Sequence, residues 1–136
     1  MNTRIVTLET MQADHRTWLD CLAQWRQDID RWQAEHESAI TRLAEMQKIV
    51  VEHGECLEEH ARALRQSEEA IASHDREIAK QLKGTSEQPQ DVVANQHQDQ
   101  EGVFHRQQSA HERIKKHHEA VMAQLQALQD TAVSGM

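Results

Sequence analysis

The stretch KGTSEQPQD, residues 83–91, decides the fold. On both sides of it apolar and histidine side chains recur at alternating steps of three and four; within it the recurrence stops. Gly84 suits a helix C-cap, Ser86 or Asp91 can cap a helix start, and Pro89 cannot continue a preceding helix. The chain is therefore expected to run as helix, short turn at 84–90, and second helix over about 91–132.

Working backwards from the turn, one seam passes through Ile78, His74, Ile71, Ser67, Leu64, His60, Leu57, His53 and Val50. It continues through Met46, Leu43, Ala39, His36, Trp32, Ile29, Trp25, Leu22, Trp18, His15 and Met11 to Leu8. The phase never slips, and Leu8 begins an alternation of a and d positions. Beyond the turn a second seam joins Val93, His97, Gln100, Phe104, Gln107, His111, Ile114, His118, Val121, Leu125, Leu128 and Ala132. Sustained a/d seams of this kind predict a coiled coil. The expected fold is all-α: a long antiparallel coiled-coil helical hairpin whose first helix has about 80 residues and a length near 120 Å at 1.5 Å per residue. Gly54 offers an alternative, a three-helix bundle broken there. The continuous helix is preferred because the seam passes Gly54 in phase, and one interior glycine costs only about 1 kcal/mol.

Composition agrees. Among 136 residues there are one Phe, no Tyr, one Pro and four Gly, too few aromatic and turn residues for strands or a thick core. A net charge of −8, with RIKK at 113–116 as the single basic clump, opposes a nucleic-acid partner. No apolar run is long enough for membrane insertion, and the opening residues have no apolar stretch of signal-peptide length. Within one helix Cys21 and Cys56 would lie about 50 Å apart and cannot pair. Reduced cysteines point to a cytoplasmic protein.

Centring the turn on residues 85 and 86 sets a positions against d positions. Ile78 then meets Val93, Leu57 meets Ile114, Val50 meets Val121, Met46 meets Leu125, and Phe104 falls opposite small Ser67. The same register places His74 opposite His97, His60 opposite His111, and His53 opposite His118. Eight of the ten histidines lie on the seams, far more than composition alone would put there.

Such rungs have three readings. Paired polar residues fix register at some cost in stability, and two neutral imidazoles satisfy one another as donor and acceptor. Alternatively, imidazole ligates Zn, Ni, Cu or Fe. Cys56, in HGECLEEH at 53–60, is placed to join His60 and His111, or His53 and His118, on one ion. His74 and His97 offer two further ligands, and HQDQEGVFH spaces His97, Glu101 and His105 four residues apart. Rungs seven residues apart are about 10 Å apart, so one ion cannot serve two. Third, rungs held neutral in a core would lose stability as pH falls through the imidazole range, because the unfolded chain then takes up more protons.

The hairpin, about residues 39–133, leaves residues 3–38 without a partner in the same chain. That segment carries Trp18, Trp25 and Trp32 at d with Leu22 and Ile29 at a. A bare stripe of this size is rare on a monomer, so the expected partner is the same segment of a second copy, layering Leu22 with Trp25 and Ile29 with Trp18. The whole is expected to be one coiled-coil domain, 1–136: a non-enzymatic, elongated, self-associating structural or interaction protein, with other helical proteins as further candidate partners. The alternative function is a His/Cys-based transition-metal buffer, carrier or sensor. Catalysis has no nucleophile with its base, no phosphate loop and no inward Glu-x-x-His set to support it.

Overall fold

A computed structural model describes residues 6–135 and is all-helical, with two long helices. The first, α1, spans Leu8–Lys83 and the second, α2, spans Gln90–Ser134. Residues 3–5 of the expected self-association segment lie outside the described residues. Helix α1 passes through Gly54 without interruption, so the three-helix alternative does not form. The physical reason is that Gly54 carries helical backbone and sits outside the seam, where its missing side chain removes no core contact. The chain divides into two units, Met1–Glu55 and Cys56–Met136, and α1 contributes to both.

Local chemistry sets the helix ends. Thr7 caps α1: its Oγ1 accepts a hydrogen bond from the Thr10 amide at 3.1 Å, satisfying one of the first-turn donors that a helix leaves unpaired. Glu9 in the first turn and Lys80 and Lys83 in the last complement the helix dipole. At the other end Gly84 adopts φ 74°. The Thr85 amide donates to the Lys80 carbonyl at 2.9 Å and the Gly84 amide to the Gln81 carbonyl at 3.1 Å. This pair of bonds is a Schellman motif, and its left-handed residue favours glycine.

The turn itself differs from expectation in its caps. Neither Ser86 nor Asp91 caps α2; Pro89 does, with extended backbone and no side-chain bond, and Asp91 sits in the first turn. Ser86 is occupied elsewhere. Its hydroxyl donates to the Glu77 carboxylate and accepts from the Gln88 amide at 3.1 Å. Gln81 Nε2 reaches both the Ser86 hydroxyl and the Gln88 carbonyl. Side chains of the last α1 turns thus fold the connection back onto the helix that precedes it.

Within the second unit, α2 returns antiparallel to the C-terminal part of α1 as a helical hairpin. Contacts of His60 with His111, and of His74 with His97, realise the register expected from the turn. The core is thin: among the described residues only Val93 and His74 are buried. Two helices alone cover one side of each seam residue and leave the other open. Phe104 shows this most clearly. It was expected to pack as a large residue against Ser67, yet its ring is 55% exposed. Phe104 instead borders an open groove of about 280 Å³, lined also by Leu64, Ser67 and Ile71. The small serine leaves a gap beside the ring, and no third element of this hairpin closes it.

Candidate functional site

The seam of the hairpin carries a ladder of polar rungs. At its outer end His60, at a d position of α1, faces His111, at an a position of α2. His60 Nε2 and His111 Nδ1 lie 3.2 Å apart in a hydrogen bond, with ring centroids 5.4 Å apart and an interplanar angle of 30°. His60 is half-buried and His111 exposed, and their facing nitrogens satisfy one another.

The rung nearer the turn is chemically different. His74 stacks on His97 with centroids 5.6 Å apart and planes 23° apart. His74 is 7% exposed, and neither of its ring nitrogens has a hydrogen-bond partner. Here the imidazole acts as a flat filler rather than as a donor or acceptor, at a cost of about 1–3 kcal/mol for a buried polar group left unsatisfied.

Between these rungs lie two that pattern reasoning passed over. Gln107 Nε2 donates to the Ala63 carbonyl at 3.2 Å, and Gln107 Oε1 accepts from the Ser67 hydroxyl at 2.9 Å. One heptad away, Gln100 Nε2 donates to the Ala70 carbonyl at 3.1 Å. The device repeats: a seam glutamine on α2 crosses to a backbone carbonyl of α1 beside alanine, whose small side chain lets the amide approach. The signal was visible as two seam glutamines seven residues apart, answered by two alanines seven residues apart.

Neither cysteine joins these rungs. Cys56 and Cys21 are free and exposed. Among the described residues no group of three or more His, Cys, Asp or Glu is gathered so as to hold a metal ion, so Cys56 does not complete a triad with His60 and His111. His53 is half-buried and belongs to the first unit; His118 is exposed and belongs to the second. His105 pairs with Glu101 at 3.7 Å on the outer face of α2, while His97 is engaged with His74.

In the first unit the tryptophan stripe is open. Trp18, Trp25 and Trp32 are 58%, 58% and 50% exposed, and Leu22 and Ile29 are each 47% exposed. Around them polar side chains are tied along the helix: Arg31 and Gln24 both reach the Asp28 carboxylate at 3.2 Å. Such pairs at three- and four-residue spacing support an exposed helix by a few tenths of a kcal/mol each. His15 lies beside Trp18, ring centroids 5.4 Å apart.

Compared with known proteins, the chain matches no family model, and no curated protein or solved structure is significantly similar to it. No helix among the described residues is long and apolar enough to cross a membrane.

Proposed function

We propose that this chain is a non-enzymatic, self-associating coiled-coil interaction protein, in which the Trp18–Trp32 stripe pairs with the same stripe of a second copy. The observation that carries this reading is the exposure of three indoles on one helical stripe, each at least half open to solvent. Burying apolar surface is worth about 25 cal/mol per Å², and indole is the largest such surface a side chain offers. The unbroken heptad phase supplies the geometry for helix-to-helix pairing. The polar rungs of the hairpin take the role of register markers, since a slip by one heptad would leave one of the two glutamines without its alanine carbonyl and would part His74 from His97. Free, exposed Cys21 and Cys56 suit a reducing compartment, and we assign the protein to the cytoplasm.

The test is the mass of the full chain in solution, by sedimentation equilibrium and light scattering across a concentration series. A dimer is expected, together with blue-shifted tryptophan emission. Replacing Trp25 and Ile29 by Asp is expected to leave a helical monomer with red-shifted emission. A wild-type chain that stays monomeric at the highest attainable concentration overturns the reading.

A further inference from the structure

The inner nitrogens of the outer histidine rung have a spacing that suits more than a hydrogen bond. We propose that His60 and His111 form an inter-helix site for one divalent transition-metal ion (zinc, nickel or copper), completed by water. His60 Nε2 and His111 Nδ1 are 3.2 Å apart. With metal–nitrogen bonds of about 2.0–2.1 Å, that separation subtends an angle of about 100° at the ion, between square and tetrahedral values.

Three further features favour ligation here. The two imidazoles come from different helices, so an ion on both lone pairs staples α1 to α2. Half-buried His60 and exposed His111 let the ion keep water on its open side, so little hydration is lost. The proton shared by the facing nitrogens need only move to the outer nitrogen of its own ring, leaving both inner lone pairs for the metal. The His74–His97 rung also joins the two helices but lacks the other two features, because both nitrogens of His74 are sealed from solvent and neither is hydrogen-bonded. No third protein donor is gathered beside the His60–His111 pair. The site therefore holds two imidazoles and water, and the ion exchanges rather than resides. This site lies wholly within the hairpin and is independent of self-association through the tryptophan stripe.

The experiment is calorimetric titration of the full chain with zinc and with nickel, alongside thermal melting at rising ion concentration. One ion per chain is expected, with a melting temperature that climbs as the free ion increases. Binding should weaken as pH falls, because the ligating imidazoles must be neutral. His60→Gln and His111→Gln should each weaken binding on the order of 100-fold, since each removes a ligand held at high effective concentration by the other helix. His97→Gln should leave it unchanged. Circular dichroism of each variant separates loss of ligand from loss of fold. In the wild-type chain, paramagnetic nickel should broaden amide signals around residues 60 and 111 together. Binding that survives either single replacement, or broadening confined to one helix, overturns the proposal; so does the absence of any metal-dependent stabilisation.

Discussion

His74 lies flat against His97, ring centroids 5.6 Å apart, and neither nitrogen of the buried ring is bonded. A leucine of similar size fills the same space with no polar atoms to leave unsatisfied. His74→Leu is therefore expected to stabilise the folded chain by about 1–3 kcal/mol, read as a rise in denaturation midpoint without a change in helical content. A loss of stability would mean that the nitrogens of His74 are bonded after all.

The two glycines of α1 and its end should respond in opposite directions. At Gly54 an added Cβ meets nothing within 4 Å, and Gly54→Ala should stabilise by about 1 kcal/mol through helix propensity. Gly84 holds φ 74°, so Gly84→Ala should cost about 1–2 kcal/mol. Urea denaturation of the two variants checks both signs. Equal responses would contradict the left-handed cap or the uninterrupted helix.

Gln107 and Ser67 share a hydrogen bond of 2.9 Å. Each replaced by Ala should cost about 1 kcal/mol, and the double replacement should cost less than the sum. Gln100 and Gln107, about 10 Å apart along one helix, should instead be additive. A double-mutant cycle by thermal or chemical denaturation measures both couplings; strict additivity for Ser67 with Gln107 would remove the bond from the ladder.

A fully buried Phe lost to Ala costs about 3–5 kcal/mol. Phe104 is 55% exposed, so Phe104→Ala should cost well below that range in dilute protein. If the measured cost reaches it, and grows with protein concentration, a second chain covers the groove beside Ser67.

The turn and the pairing of His60 with His111 and His74 with His97 were legible in the sequence. An unslipped heptad phase and a single proline leave one simple way to fold the second helix back. Periodicity names the residues that share a face, but says nothing of rotamer or depth. It therefore put Phe104 inside, where two helices cannot enclose it, and treated all histidine rungs alike, although one bonds and another only stacks. It also placed Gln100 and Gln107 on the seam without anticipating their reach to α1 carbonyls. The cap of α2 was misjudged because Ser86, a good capping residue, is held by Glu77 and the Gln88 amide.

The tether between Gly84 and Pro89 has a kinetic consequence. Bonds around it close over sequence separations of only 5 to 9 residues, then the ladder proceeds over 30, 40 and finally 51. The entropic penalty for loop closure rises only logarithmically, and each bond formed shortens the loop left for the next. Folding of this unit should therefore nucleate at the bend and zip outward, with short loops first and the His60–His111 end last to close and first to fray.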